Sequence, residues 1–131
     1  MKIAVSTSTS SIDALVDPRF GRAARFVIFD TETEKWEAYP NPGLHASGGA
    51  GVQAAQFVTD HGAQSVISGN FGPNAHSTLT AASIQIFYAP SGAAFTAREL
   101  LVRYRRGQLK QVTAPSSSSY HSPRGRGWAG Y

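Results

Sequence analysis

One stretch limits the fold more than any other. "QSVISG" (64–69), "PNAHSTLTAAS" (73–83) and "IQIFYA" (84–89) read as strand, helix and strand in immediate succession. The first and last are short β-branched and aromatic runs bounded by Gly, Ser or Pro, and the middle one opens with Pro in its first turn. A connection this short brings the second strand back parallel to the first through a right-handed crossover. The chain therefore needs a sheet with a parallel pair and a helix packed on one face.

The remaining segments extend that sheet. "KIAVST" (2–7) reads as a strand buried on both faces. "ARFVIFDT" (24–31) and "KWEAYP" (35–40), separated by the polar "ETE", form an antiparallel hairpin. "GAGVQAAQFVTDHG" (49–62) places Ala50, Ala54, Phe57, Val58 and His61 at helical spacing, with Ser47 as its N-cap and Gly62 as its stop. Thr96 and Glu99 make a capping box that opens "ARELLVRYRRG", whose Leu100, Leu101 and Tyr104 share one face. Assembled, these segments predict an α/β fold, a five-stranded mixed sheet with helices on both faces, of the ribonuclease H-like kind. At 131 residues the chain suits one domain, assigned to residues 1–112. Residues 113–131, rich in Ser, Gly and Arg and without periodicity, read as a disordered tail.

Composition removes several chemistries. With no Cys, the chain can form no disulfide, zinc ribbon or cysteine-ligated iron–sulfur cluster. The N-terminal "MKIAVSTSTS" lacks the apolar run of a signal peptide, and no segment is long enough to span a membrane, so a cytoplasmic location is expected. The net charge of +4 is unevenly spread: residues 1–90 carry five Lys/Arg against seven Asp/Glu, whereas residues 91–131 carry seven against one. The basic segment "RYRRGQLK" (103–110) reads first as a solvated helix face with cations near its C-terminus and the "RGRGW" of the tail as a passive end; contact with an acidic partner or nucleic acid is the alternative for both.

Three loops carry the candidate chemistry. In "NPGLHASGGAGVQAAQ" (41–56), Gly49, Gly51 and Ala54 match the dinucleotide pattern G-x-G-x-x-A. A long loop out of a hairpin precedes it, and no Asp or Glu occurs between Asp60 and Glu99 to hold a ribose, which argues against such a site. No G-K-[ST] occurs either. What remains is a set of backbone N–H groups at Gly48, Gly49 and Gly51, at the positive end of a helix, suited to an anion. "SGNFGPNAH" (68–76) repeats the arrangement at the carboxyl end of a parallel strand, where ligands of open α/β sheets collect, and places His76 in the helix that follows. "VDPRFGRAAR" (16–25) adds Arg19 and Arg22, residues that bind multivalent anions or serve as surface charge. Hydrolytic chemistry finds no support: the first strand has no acid for a two-metal site, and neither G-x-S-x-G nor H-E-x-x-H is present.

Taken together, "VDPRFGRAARFVIFDTET", "NPGLHASGGAGVQAAQ" and "VISGNFGPNA" resemble, in order and spacing, the dinitrogenase iron-molybdenum cofactor biosynthesis family, over about Met1 to Lys110. The resemblance implies a ribonuclease H-like fold without nuclease activity that binds or carries a metal–sulfur cluster or its precursor. It extends to the orange protein branch, which is associated with a molybdenum–copper sulfide cluster held without thiolate bonds; an iron–molybdenum or iron–sulfur cluster is the alternative. By position, His45 lies in the family's His-containing loop and is the first candidate for a metal ligand or a nearby contact, with a solvated side chain as its other reading; His76 is a second candidate. The expected cluster-binding surface comprises Arg19, Phe20, Arg22, His45, Ser47, Gly48, Gly49, Gly51, Asn70, Phe71, Gly72 and Asn74. Phe20 and Phe71 are expected to exclude water from it. A carrier of this kind has no turnover and hands its cargo to a protein partner.

Overall fold

A computed structural model describes residues 1–113. The expected tail, apart from Thr113, lies outside the described residues. The elements follow the order β1 (Lys2–Thr7), β2 (Arg25–Asp30), β3 (Trp36–Pro40), α1 (Ala50–Asp60), β4 (Ala63–Ser68), α2 (Pro73–Ala81), β5 (Gln85–Tyr88) and α3 (Ala97–Arg105). They build one mixed sheet in the order β3-β2-β1-β4-β5. β1 runs antiparallel to β2 and parallel to β4; β2–β3 is the hairpin, and β4–β5 is the parallel pair around α2.

Period-two alternation divides the core between the two faces of the sheet. Ala4, Phe26, Ile28, Val66 and Ile86 point to one face, where Ala54, Ala55 and Val58 of α1 and Ala75 and Leu79 of α2 cover them. Ile3, Val5, Val27, Phe29 and Ile67 point to the other face and meet Ala97, Leu100 and Leu101 of α3. β1 is buried on both sides because it is the central strand, which accounts for its continuous apolar reading. Ser6 and Ser68, buried near the ends of β1 and β4, hydrogen-bond to each other at 2.7 Å.

Local signals set the element ends. Asp30 Oδ1 accepts the Glu32 amide at 2.9 Å and Glu34 takes a positive φ of 61°, together turning the chain from β2 into β3. That amide lowers the Asp30 pKa below its ordinary value of 3.8. The Thr96–Glu99 capping box forms as expected. Gly62, at φ 79°, ends α1.

One expectation changes, and one contact is added to the fold. Ser47 is not the N-cap of α1: the chain enters the helix through Gly49 at φ 70°, which leaves Ser47 exposed two residues outside it and the helix without a side-chain cap. The stretch 110–112 is more than a trailing end. The Tyr88 amide donates to the Lys110 carbonyl at 2.9 Å and the Val112 amide to the Ile86 carbonyl at 2.7 Å. The segment therefore covers the β5 edge, which would otherwise expose unpaired backbone groups.

Candidate cofactor crevice

The loops after β1, β3 and β4 leave the same end of the sheet, since β3 runs parallel to β1 and β4. Ser6 Oγ donates to the Asp17 carbonyl at 2.6 Å, drawing the first loop back over β1. Pro18 then presses on Gly69, where an added Cβ would lie 2.8 Å from the proline Cβ. Arg19 pairs with Asn70, and the Phe20 amide donates to the Asn70 carbonyl at 3.2 Å.

The buried Asp17 carboxylate organises this loop. It accepts the Arg19 amide at 3.1 Å, Arg19 Nε and Nη2 at 3.2 Å each, and the Ala24 amide at 3.4 Å. Its hydrogen bond and charge raise the Arg19 pKa above the usual arginine value, so this cation stays charged at any working pH. The Arg19 side chain is still 63% exposed.

The loop 41–49 is fastened to the first one. Buried Asn41 donates through Nδ2 to the carbonyls of Gly21 and Ala23 at 3.0 and 2.9 Å, and its Oδ1 accepts the Gly43 amide at 2.8 Å. Gly43 sits so close to α1 that a Cβ there would fall 2.5 Å from the Ala50 carbonyl oxygen. Arg22 Nη1 donates to the carbonyls of Gly43, Leu44 and Ala46 at 3.4, 3.1 and 2.7 Å.

These loops deliver two helix N-termini side by side. α1 starts after Gly49 and α2 after Gly72; neither has a side-chain cap, and neither has an acidic residue in its first turn. A Cβ on Gly51 would lie 3.1 Å from the Ala75 Cβ and 3.4 Å from the Ala75 amide nitrogen, so the two first turns abut. First-turn N–H groups have no acceptor within their own helix. Each N-terminus carries roughly half a positive charge. The two abutting ends, with no carboxylate in either first turn, concentrate positive potential at one place.

The expected site residues divide into groups. Gly48, Gly49, Gly51, Gly72 and Asn74 belong to these two helix entries, with Ser47 and exposed His45 in the loop before them and Asn70 on the strand side. Phe20 and Phe71 are only 1% and 0% exposed. Their rings lie tilted with centroids 5.1 Å apart, and Phe20 meets Phe26 at 5.3 Å, so both aromatic rings are part of the core. They form the floor beneath the loops. His76 lines a different cleft of about 410 Å³, on the β5 side of α2, with Thr80, Ile86 and Gln111, and no residue of 41–49 takes part in it. Among the described residues no group of three or more His, Cys, Asp or Glu is placed to hold a metal ion.

One further cleft is not anticipated by the sequence motifs. A cleft of about 450 Å³ lies between Val16 and Pro18, Gly69 and Asn70, and the loop 89–95 after β5, and no charged side chain lines it. The signal was present in "APSGAAF", a run of small residues leaving the carboxyl end of a parallel strand. The basic segment 103–110 is partly engaged within the fold: Arg103 lies over the Phe95 ring at 4.7 Å, and Arg105 reaches Glu34 at 3.5 Å and the Thr31 carbonyl at 2.9 Å. The "RGRGW" motif lies outside the described residues. No described helix is long and apolar enough to cross a membrane.

The fold belongs to a known class. The family described as "Dinitrogenase iron-molybdenum cofactor" matches residues 1–107, and the chain is a member of it. Within that class, the chain is similar to the apo form of the orange protein from Desulfovibrio gigas, with 38% identity, a TM-score of 0.83, and coverage of 88% of this chain and 96% of that one. It is also similar to an uncharacterized protein of Methanocaldococcus jannaschii, 27% identical over 92 residues that span 68% of this chain and 75% of the relative.

Proposed function

We propose that this protein binds and carries a preformed, anionic metal–sulfur cluster without covalent thiolate bonds. The observation that carries the proposal is the pair of abutting, uncapped helix N-termini at Gly49–Gly51 and Gly72–Ala75. Backbone N–H groups there, with Arg19 at the side, supply charge and hydrogen bonds to bridging sulfides. His45, exposed in the loop that precedes α1, is the single side chain assigned to a metal or to its immediate surroundings.

The absence of cysteine favours a molybdenum–copper sulfide, whose sulfides belong to the cluster itself, over an iron–molybdenum or iron–sulfur cluster anchored by thiolates. Membership of the family and the likeness to the orange protein support a cofactor role. The strand order β3-β2-β1-β4-β5, with a hairpin on one side of β1 and a parallel unit on the other, supports the ribonuclease H-like reading of the fold. β1 carries no carboxylate for a two-metal nuclease site, and the proposed role is binding and delivery to a protein partner, without turnover.

Reconstitution tests this directly. Protein incubated with tetrathiomolybdate and copper, or with iron and sulfide, and then desalted is expected to retain a visible chromophore that His45→Ala weakens. A colourless product under every condition refutes the proposal.

A further inference from the structure

We infer that Arg22 is a positioning residue: it fixes the backbone on both sides of His45 and thereby sets the loop 43–46 against the first turn of α1. Its consequence for ligand binding rests on the carrier reading above, whereas its consequence for the loop does not.

The geometry is specific. One nitrogen, Arg22 Nη1, is shared by three carbonyl oxygens, those of Gly43, Leu44 and Ala46. Oxygens that converge on one point repel each other unless a cation sits among them. A guanidinium provides a permanent charge there, and hydrogen bonds from a charged donor are the stronger kind. Leu44 and Ala46 flank His45, so the clamp fixes the chain on both sides of an exposed histidine whose side chain has no hydrogen bond among the described residues.

Arg22 is itself well placed to transmit that order. Its neighbour Gly21 abuts Gly51, where an added Cβ would come within 3.0 Å of the Gly51 backbone, and Asn41 ties Gly21 and Ala23 to the same loop. The clamp therefore links the loop after β1, the His45 loop and the start of α1 as one unit. It also engages three carbonyl dipoles beside a site that must accept an anion, which lowers the repulsion they would exert on it. Arg19 differs: its Nε and Nη2 are held by a single carboxylate, and its side chain remains largely exposed. Of the two arginines expected to flank the ligand, Arg19 is thus the contact and Arg22 the support.

Native-state hydrogen exchange on the full chain without any ligand tests the loop. The Leu44 amide donates to Asn41 and the Ala46 amide to Gly43, both within the clamped turn. In Arg22→Gln these two amides are expected to exchange about tenfold faster or more, while Val5 and Ile67 amides in the sheet keep their rates. Arg22→Lys, whose ammonium has three donors, is expected to restore part of the protection. Unchanged exchange at Leu44 and Ala46 in Arg22→Gln overturns the inference.

Equilibrium dialysis against tetrathiomolybdate, with molybdenum measured on both sides, tests the consequence. Arg22→Gln and His45→Ala are each expected to weaken binding about tenfold, and the double variant no further, because both remove the same element. Additive losses overturn the inference and make Arg22 a direct contact. If the wild-type protein retains no molybdenum, the carrier reading fails, and the exchange rates alone decide the positioning claim.

Discussion

At the scale of single residues, close backbone approach explains more of the crevice than side-chain chemistry does. Gly43 and Gly69 leave too little room for a Cβ, at 2.5 Å from the Ala50 carbonyl oxygen and 2.8 Å from the Pro18 Cβ. Gly43→Ala is therefore expected to cost about 1–3 kcal/mol, the usual range for overpacking, measured as a shift of the urea midpoint at constant slope. Gly48, where nothing lies within 4 Å, is the control: Gly48→Ala should leave that midpoint nearly unchanged. Charge gives a second expectation. Hydrogen bonding from the Glu32 amide lowers the Asp30 pKa below 3.8, so Asp30 contributes stability that is complete above that value and is lost as pH falls through the lower, folded value. A titration followed by NMR at the Glu32 amide should show a midpoint below 3.8, and Asp30→Asn should abolish it.

At the scale of elements, α3 shows where local signals suffice. Thr96 and Glu99 predict its start and the capping box forms, so Thr96→Ala should destabilise the protein by about 1 kcal/mol in thermal or urea unfolding. Leu100, completely buried against β1 and β2, should cost about 2–5 kcal/mol on truncation to Ala. The strands were legible for the same reason: alternation and β-branched runs are properties of a few consecutive residues. The entry to α1 was not. Ser47 has the right chemistry for a cap, but the choice between Ser47 and Gly49 depends on how the loop 41–46 is held by Asn41 and Arg22, from residues distant in sequence. The same limit hid the pairing of 110–112 with β5, since "KQV" has no strand signal without the neighbouring edge.

At the scale of the whole molecule, topology brings the site together. A sheet in which β1, β3 and β4 point the same way directs three loops to one end, and packing α1 beside α2 on one face brings two positive helix ends into contact. The three motifs read from the sequence converge there, while His76 and the loop 89–95 line other clefts. Such a site binds by charge and hydrogen bonds, so its ligand should be released by exchange and should not require reduction or a competing thiol. The central claim is that this crevice holds a metal–sulfur cluster, and metal analysis of protein purified without oxygen measures it most directly. Bound molybdenum with copper, or iron, is expected together with acid-labile sulfide, at a lower content in His45→Ala; protein free of all three metals, before and after reconstitution, rules the cluster out.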